Sequence, residues 1–319
     1  MRIVSVIIAA YNRCGQLKSV LEGLLEQATD GTFVYEVIVV DNNSKDATRQ
    51  TVEAYIPRFS ARELSGKCVG LRYFFEPTQG KAYALNHGIK EAKGEIMVFT
   101  DDDVLVDKNW ILETVRCFDR YNCDGVGGRV LPVYPDNTPD WIKREDPNKM
   151  SGIVVVYDYG AETKKYEKLM DEFIGANYAF KGEVFDDCGL FRAEFSKSKV
   201  PVGEDREFID RLIKNNKILY YCGEAVIRHP VDVSRARFKN VARWNMALGR
   251  SAALREQEQD REFKYLFGVP QYLFCGVVTD FLCIFPSLFS QRELFYRLRS
   301  FFRKVGMILE YRSVKSRKL

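Results

Sequence analysis

Short apolar runs alternate with amphipathic stretches along the first third of the chain. The stretches between the runs, residues 17–27, 47–55 and 82–92, carry their apolar residues on one helical stripe. The runs are rich in β-branched residues and apolar on both faces, as parallel strands buried between helices are; they are RIVSVIIAA, EVIVVD, VGLRYFF and EIMVFTDDD. This pattern predicts an α/β protein with a doubly wound, mainly parallel sheet flanked by helices.

Polar residues follow the predicted strands where each strand ends. Tyr11 follows the first strand, Asp41 ends the second, Lys81 opens the helix after the third, and residues 101–103 follow the fourth. Ligands of doubly wound sheets bind in the crevice at the carboxyl ends of the strands. We therefore expect these residues to converge on one binding crevice.

Composition and glycine spacing exclude several classes of protein. With 46% hydrophobic and 29% charged residues in 319, the chain is that of a folded protein, not a disordered, collagen-like or polytopic membrane protein. No G-x-G-x-x-G follows the first strand and no G-x-x-x-x-G-K-[ST] occurs, which disfavours a dinucleotide-binding oxidoreductase and a P-loop NTPase. Gly125, Gly127 and Gly128 are expected to ease a tight turn or close packing.

Asp101, Asp102 and Asp103 form an unbroken acidic triplet after the fourth strand. Adjacent carboxylates repel one another, and burying them without a cation is costly, so a divalent ion is the natural partner. Oxygen ligands suit Mg²⁺ or Mn²⁺. From the triplet alone, a solvated acidic turn is the alternative interpretation.

Four segments in order resemble glycosyltransferase family 2 on the GT-A fold, across roughly residues 2–230. The segments are IVSVIIAAYNR, EVIVVDNNSKD, GKAYALNHGIKEAKGEIMVFTDDDVLV and GEDREF. The resemblance implies a GT-A catalytic domain at 1–232, with a nucleotide-sugar-binding half at 1–131 and an acceptor-binding half at 132–232. Residues 233–319 then form a basic, amphipathic helical C-terminal region.

The resemblance also implies roles for residues at the matching positions. The residues expected to hold the base and ribose of a nucleotide sugar are Ala10, Tyr11, Arg13, Asp41 and Asn43. Lys81 would reach the nucleotide, Asp101 and Asp102 would contact ribose or sugar, and Asp103 would bind the metal. His229 matches a position that supplies a metal or diphosphate ligand; taken by itself, an isolated histidine more often has a structural role.

Glu204 and Asp205 start a predicted helix, at the positive end of its dipole. Spacing alone makes them ordinary N-terminal helix charges. The family's ED motif implies that Asp205 is the general base, with Glu204 next in line, in an inverting transfer from a nucleoside-diphosphate sugar, UDP being the favoured nucleotide. The implied divalent metal, Mn²⁺ or Mg²⁺, neutralises the diphosphate as it leaves.

Three further residues carry weaker expectations. Asn177 is expected to line the acceptor pocket, and His87 to lie on a helix surface. Trp141 lies in the Pro-bearing stretch 132–147, which is predicted to be a loop that closes over the site, with simple packing of the tryptophan as the alternative.

Charge and hydropathy change sharply towards the C-terminus. Residues 235–319 hold 17 Lys and Arg against 7 Asp and Glu, while the preceding part of the chain is acidic. Residues 265–289 contain one charge, Asp280, and are predicted to form an interfacial or re-entrant hairpin. An amphipathic helix with apolar positions from Phe295 to Leu309 is predicted to lie on an anionic membrane surface; a helix packed on the protein and a spanning segment are the alternatives.

We expect a peripheral enzyme at the cytoplasmic face of the cell membrane, with a lipid-linked or polysaccharide acceptor and no nucleic-acid partner. The eight cysteines show no C-x-x-C spacing and are expected to be free thiols. Two other functions stay open: a nucleotidyltransferase that makes sugar nucleotides, and a catalytically silent protein that binds a membrane surface. The oligomeric state is open as well.

Overall fold

The chain divides into two units. Unit 1 comprises residues 1–133, 155–193 and 204–230, and unit 2 comprises residues 134–154, 194–203 and 231–319. The domain boundary at residue 232 stays a prediction. The computed structural model describes residues 1–63, 66, 68–143, 146–150, 152–167, 173–196, 202–258 and 262–315.

Unit 1 is built around one sheet, to which the described residues contribute nine strands in the order β3-β2-β1-β4-β8-β6-β9-β5, with β7 beside β9. Strands β3, β2, β1 and β4 are parallel, as are β6 and β9, whereas β8 runs antiparallel to both its neighbours. The strands are β1 (Arg2–Ala10), β2 (Phe33–Asp41), β3 (Cys68–Phe75), β4 (Ile96–Thr100), β5 (Leu105–Val106), β6 (Gly125–Val133), β7 (Lys164–Lys165), β8 (Asn177–Lys181) and β9 (Leu219–Pro230).

The helices follow the predicted alternation in unit 1 and dominate unit 2. They are α1 (Cys14–Leu25), α2 (Thr48–Glu63), α3 (Lys81–Glu91), α4 (Trp110–Tyr121), α5 (Asp140–Lys143), α6 (Glu183–Cys188), α7 (Glu204–Lys214), α8 (Phe238–Gln257), α9 (Gln271–Ser287) and α10 (Gln291–Lys315). A second, two-stranded sheet in unit 2 pairs β10 (Tyr265–Leu266) with β11 (Val269–Pro270). The prediction of an α/β protein with a mainly parallel sheet is confirmed.

The central parallel strands are buried on both faces, as strands covered by helices on each side are. In β1, residues 4–8 are fully buried, and Ser5 is satisfied by a 2.7 Å hydrogen bond to Glu36 of β2. Ala10 pairs with Asp41, and Ile8 pairs with Thr100, so β1, β2 and β4 end at one edge of the sheet. The predicted convergence of strand ends is therefore confirmed for these three strands.

The loops after β1 and β2 are tied to each other. The side chain of Asn12, at φ 52°, accepts a hydrogen bond from the backbone N–H of Lys45, and the backbone N–H of Asn12 donates to Ser44. The backbone N–H of Cys14 donates to Asp46 at 2.9 Å. These bonds fix the entry to α1 and the turn after Asp41 as one piece of structure.

A cluster of aromatic rings packs against the buried side of α7 near its start. Phe208 of α7 stacks on Phe185 at 5.3 Å between ring centroids and packs on Phe180 and Phe191. Phe99 of β4 joins the same cluster. Burial of these rings holds the first turn of α7 against the sheet, and offset or edge-to-face ring pairs add about 0.5–1.5 kcal/mol each.

In unit 2, α8 and α10 approach so closely that glycine is required on each helix. A methyl group on Gly249 would lie 1.9 Å from the carbonyl oxygen of Arg303, and one on Gly306 would lie 2.1 Å from that of Met246. Phe295, at the start of the predicted amphipathic stretch, is buried, and Trp141 of α5 packs on its ring at 5.9 Å. Within this unit α10 packs on α8, which was one of the alternatives above. Trp141 is a packing residue, the alternative given for it.

Residues 265–289 form the short antiparallel β10–β11 pair, followed by the single helix α9. The apolar residues from 271 onwards therefore do not form the predicted re-entrant hairpin. Among the described residues, no helix combines the length and apolar character needed to cross a bilayer. All eight cysteines are free, as predicted.

Candidate active site

The three adjacent aspartates after β4 occupy different environments. Asp102 is buried, and its carboxylate accepts hydrogen bonds from the backbone N–H of Tyr11 at 2.9 Å and from Arg13 at 3.0 Å. Burial raises the pKa of Asp102 to about 6. Its carboxylate thus fixes the loop after β1, whereas the family resemblance suggests contact with ribose or sugar.

Asp101 and Asp103 face other partners. Asp101 accepts a hydrogen bond from Nζ of Lys81 at 2.6 Å; burial opposes ionisation of Asp101, but the lysine charge prevails and holds the pKa of Asp101 below its ordinary value. Oδ2 of Asp103 accepts a hydrogen bond from Arg13 at 2.5 Å. Its other oxygen, Oδ1, is buried and has no hydrogen-bond partner anywhere in the described chain.

Asp101, Asp103 and His229 form a candidate metal site. Each offers one ligand atom, and these atoms lie within 4.8 Å of one another. Nε2 of His229 is 3.6 Å from the unpartnered Oδ1 of Asp103. Nδ1 of His229 lies 2.9 Å from the carbonyl oxygen of Pro230, which we assign as a donated hydrogen bond, so the lone pair of Nε2 faces the carboxylates.

These residues fit a divalent cation. A buried carboxylate oxygen without a donor is costly, and a cation beside it removes that cost. Two carboxylates and a neutral imidazole are ligands that Mn²⁺ and Mg²⁺ sites accept. The structure thus brings the two predicted metal-site residues, Asp103 and His229, together and adds Asp101 to them.

The second acidic pair lies at the start of α7. Oδ1 of Asp205 accepts a hydrogen bond from the backbone N–H of Arg206 at 2.7 Å, and Oδ2 accepts one from the backbone N–H of Gly175 at 3.2 Å. Glu204 is buried, and Oε2 of its carboxyl has no hydrogen-bond partner in the described residues. Burial, followed by the charge of Asp205, raises the pKa of Glu204 to about 7.

Lys81 links the two acidic groups. Burial opposes its charge, but Asp101, Glu204 and Asp205 together raise the pKa of Lys81 above its ordinary value, so the ammonium group is retained. A methyl group built on Gly175 would lie 3.1 Å from Nζ of Lys81 and 3.2 Å from Oδ2 of Asp205. The lysine and the predicted base therefore lie close to each other, beside Gly175.

The nucleotide-side residues lie at the same edge of the sheet. Asp41 is buried, and its oxygens accept hydrogen bonds from the backbone N–H of Ser44 and the hydroxyl of Tyr73, each at 2.9 Å. Ala10 pairs with Asp41 and is buried, and its carbonyl oxygen accepts a hydrogen bond from the backbone N–H of Asn42 at 2.9 Å. The ring of Tyr11 is exposed.

The turn after Asp41 positions Lys81 as well. Asn43 has φ 64°, and its side chain accepts a hydrogen bond from Lys45. The side chain of Asn42 accepts a hydrogen bond from the backbone N–H of Gly80 at 2.7 Å and donates one to the carbonyl oxygen of Thr78 at 2.7 Å. Asn42 thereby holds the segment that leads into Lys81, a role that sequence analysis missed.

The expectation for Asn177 is wrong. Its carbonyl oxygen accepts a hydrogen bond from Trp110, and its amide nitrogen donates to the carbonyl oxygens of Arg129 and Ala225, all at 2.8–3.0 Å. The buried Asn177 side chain therefore links β8 to α4, β6 and β9 through these hydrogen bonds. Its amide is not available to bind an acceptor. The close packing expected of Gly128 is confirmed, because a methyl group there would lie 2.3 Å from the Asn177 side chain.

Two residues near Asp205 were not found from the sequence. Gly175 acts through its backbone, which leaves no compositional signal. Tyr178 is an ordinary strand residue by pattern, yet its hydroxyl is buried without a hydrogen-bond partner in the described residues. Burial and the nearby charges of Asp205, Glu204 and Asp101 raise the pKa of Tyr178 well above its ordinary value, so its hydroxyl stays protonated.

His87 lies apart from the metal cluster. Its Nδ1 lies 3.3 Å from Oε2 of Glu76, and its ring packs on Phe74 at 5.4 Å. It is half-buried on α3, so the expectation of a surface residue holds only in part.

The mainly parallel sheet of this chain has the GT-A fold, which solved glycosyltransferase structures share. The described fold resembles a mannosyltransferase from Pyrobaculum calidifontis, solved with GDP-Man and Mn²⁺, with a TM-score of 0.61 at 17% identity over 98% of this chain and 87% of that one. It also resembles residues 1–349 of TarS from Staphylococcus aureus, solved with UDP, with a TM-score of 0.53 at 18% identity over 98% and 92% of the two chains.

The model of the glycosyl transferase family 2 matches residues 5–193, and the chain belongs to that family. Among curated relatives, the glycosyltransferase AglE of Haloferax volcanii is 34% identical over 42% of this chain. TarS, a poly(ribitol-phosphate) β-N-acetylglucosaminyltransferase, is 29% identical over 43% of it. These matches span 41% of AglE and 24% of TarS.

Proposed function

We propose that the protein is an inverting, metal-dependent glycosyltransferase that moves a sugar from a nucleoside-diphosphate sugar to a hydroxyl group. One observation carries the proposal: two chemically different acidic groups share one site. Asp101, Asp103 and His229 form the candidate metal site, and Lys81 lies close to both Asp101 of that site and Asp205. The first group suits a diphosphate held through a cation, and the second suits proton removal from an acceptor.

The donor end binds the nucleotide and its diphosphate. Asp101, Asp103 and His229 would hold a divalent ion, whose chemistry is to neutralise the charge of the diphosphate leaving group. The exposed ring of Tyr11 is available to stack on the base, and Asp41 and Asn43 lie where ribose and base hydrogen bonds are expected. UDP is the favoured nucleotide; the solved TarS structure holds UDP, whereas the archaeal mannosyltransferase holds GDP-Man.

The acceptor end supplies the base. Asp205 accepts the proton of the acceptor hydroxyl as that oxygen attacks the anomeric carbon from the side opposite the diphosphate, so the configuration inverts. The backbone N–H groups of Gly175 and Arg206 fix the direction of the carboxylate. Burial and the charge of Asp205 raise the pKa of Glu204 to about 7, and protonation of Glu204 limits the repulsion that a second full charge would exert on Asp205.

We infer that the acceptor is a lipid-linked or polysaccharide glycan and that the protein works at the cytoplasmic face of the cell membrane. The excess of ten positive charges in residues 235–319 supports an anionic surface as a partner. The relative TarS, named for transfer to poly(ribitol-phosphate), supports a polymeric acceptor.

The first experiment is a thermal shift series on the purified protein with UDP, GDP, dTDP and CMP, each with and without Mn²⁺ or Mg²⁺. A ligand that binds only the folded state raises the melting temperature by mass action. We expect metal-dependent stabilisation by UDP above the other nucleotides, lost in Asp103→Ala. Stabilisation by GDP instead would change the donor, and no shift with any nucleotide would remove the transferase proposal.

A further inference from the structure

Helix α9 turns its only charge inward and its large apolar side chains outward. Leu273, Asp280 and Ser287 are spaced by seven residues, so they form one line along the helix, and they are its buried residues. From Val278 onwards, the residues facing away from this line are exposed and apolar. A helix of a soluble protein has the reverse arrangement, with its charges in water and its apolar stripe against the protein.

The inward charge is neutralised within the helix pair. Asp280 accepts a hydrogen bond from Nζ of Lys304 on α10 at 2.5 Å, and the same ammonium group donates to Ser300 at 2.6 Å. Asp280 is the only acidic or basic residue in α9. The outer surface of α9 therefore carries no charged side chain.

The outward stripe of α9 runs from Val278 to the C-terminal end of the helix and on to Phe289. Successive positions on a helix differ by about 100°, so the stripe residues share one sector of the helix surface and Asp280 lies outside that sector. The exposed fractions of its members lie between 51% and 97%, with Phe289 just past the helix the most exposed; the stripe residues are Val278, Phe281, Leu282, Phe285, Leu288 and Phe289. Single exposed apolar residues are ordinary, but a contiguous aromatic stripe marks a surface that another apolar phase covers.

The neighbouring helix supplies positive charge. Gln291–Lys315 carries seven Lys and Arg residues against two Glu residues, and Arg292 and Arg303 are exposed. Phe301 of α10 packs on Phe281 at 6.3 Å, so the two helices share one edge, and Arg297 lies one turn before Phe301. An uncharged apolar stripe thus runs beside a basic helix.

We propose that α9 is the membrane-contacting element of the protein and lies in the interface of an anionic phospholipid bilayer. The stripe from Val278 to Phe289 enters the acyl region, and basic residues of α10 contact lipid phosphates. This assignment replaces α10 as the contacting helix, because α10 is packed on α8. The proposal rests on the membrane location put forward above, but not on the identity of donor or acceptor.

Charge favours a bilayer over a second copy of the chain as the cover of this stripe. A symmetric contact through α9 would bring two basic α10 helices close together, and like charges repel. An anionic surface instead attracts each nearby Lys or Arg. Burial of the exposed phenylalanine side chains in the acyl region adds a further favourable contribution.

Vesicle sedimentation tests the proposal with the full chain. The double variant Phe281→Glu/Phe285→Glu is compared with Ile218→Glu, which adds a charge at an apolar residue of unit 1 that is 43% exposed. We expect wild type and Ile218→Glu to sediment with phosphatidylcholine vesicles that contain phosphatidylglycerol. The double variant should bind these vesicles with an affinity at least about tenfold lower. Wild-type protein that stays in the supernatant, or a double variant that binds as wild type does, would overturn the proposal.

Two further measurements identify the contacting surface and separate this proposal from the enzymatic one. Tryptophan emission of Phe289→Trp, measured as the gain over wild type, should be quenched by brominated acyl chains, whereas that of Ile218→Trp should not. Light scattering without vesicles should show the same mass for wild type and the double variant. If wild type is a dimer and the double variant a monomer, a second copy of the chain covers the stripe and the bilayer proposal is refuted. Nucleotide-induced thermal shifts should be equal in all these variants, so loss of vesicle binding with retained shifts tests the membrane contact alone.

Discussion

Oδ2 of Asp205 accepts a hydrogen bond from the backbone N–H of Gly175 at 3.2 Å, and a methyl group on Gly175 would lie equally close to that oxygen. The carboxylate is therefore held by the backbone on one side, and a side chain at position 175 would press against it. Lys81 crowds the same glycine from the direction of Asp101. The position of the proposed base thus depends on the segment that leads into β8.

Replacing Asp205 by asparagine should abolish transfer while donor binding survives. The amide keeps the shape of the side chain but cannot accept the acceptor proton, and general-base catalysis contributes roughly 10²–10⁴ in rate. We expect kcat to fall by that factor and the thermal shift with nucleotide and Mn²⁺ to persist. Asp119→Asn, which removes a surface charge paired with Arg2, is the matched control. Near-normal turnover of Asp205→Asn would move the base to another residue, with Glu204 the first to test.

Replacing Gly175 by alanine should impair catalysis through crowding. The new methyl group would lie 3.1 Å from Lys81 Nζ and 3.2 Å from Asp205 Oδ2, closer than such contacts usually are, so one of the two side chains must shift. A small displacement of a catalytic group is costly, and we expect kcat to fall by roughly 10². Gly15→Ala is the control, since a methyl group there meets no atom within 4 Å. Equal kcat values for the two variants would show that Gly175 does not position the base.

Sequence patterns predict those parts of the site that depend on local order along the chain. Strand ends are marked by the change from apolar runs to polar residues, so the sequence alone places Asp41 and Asp101 at one edge of the sheet. The sheet order beyond β4 leaves no such signal, because β8 enters antiparallel between β4 and β6 through pairing that joins distant segments. Contacts made by backbone, such as that of Gly175, leave no mark in the pattern either.

The amide of Asn177 and the face of α10 show why residue type alone misleads. Asn177 is polar and was expected to line the acceptor pocket, yet three internal hydrogen bonds engage its amide. The apolar positions of α10 follow a helical period, which predicts an apolar face but not what covers that face. In α9 the period is obscured by a run that is apolar almost throughout, and the inward direction of Asp280 becomes visible only with its partner Lys304.

Glu204 should make the protein less stable as the pH rises from about 5 to 8. Burial raises the pKa of Glu204 from an ordinary 4.5 to about 7, so the folded state binds a proton that the unfolded state has released within this window. The contribution of Glu204 to the free energy of unfolding is fully present below pH 4.5. It is lost as the pH rises through about 7, by roughly 3 kcal/mol in total. Glu204→Gln carries an uncharged group at every pH and should lack this loss.

Urea unfolding near pH 5 and near pH 8 measures the effect without metal or nucleotide. The free energy of unfolding of wild type should fall more between the two values than that of Glu204→Gln, and the variant should be the more stable at the higher pH. Glu224→Gln, at an exposed position of β9, should follow wild type. Identical pH dependence in wild type and Glu204→Gln would show that Glu204 ionises normally in the folded state.

His229→Gln should weaken divalent-metal binding, and the chain's other histidine provides the control. Nε2 of His229 lies 3.6 Å from the unpartnered oxygen of Asp103, whereas His87 contacts Glu76 on a different element. We expect the Mn²⁺ dissociation constant, measured by calorimetric titration, to rise by roughly tenfold or more in His229→Gln and to stay unchanged in His87→Gln. Because glutamine keeps a polar group and a similar volume, the loss would reflect the missing imidazole ligand. Unchanged Mn²⁺ affinity in His229→Gln would leave the two carboxylates as the metal-binding groups and return His229 to a structural role.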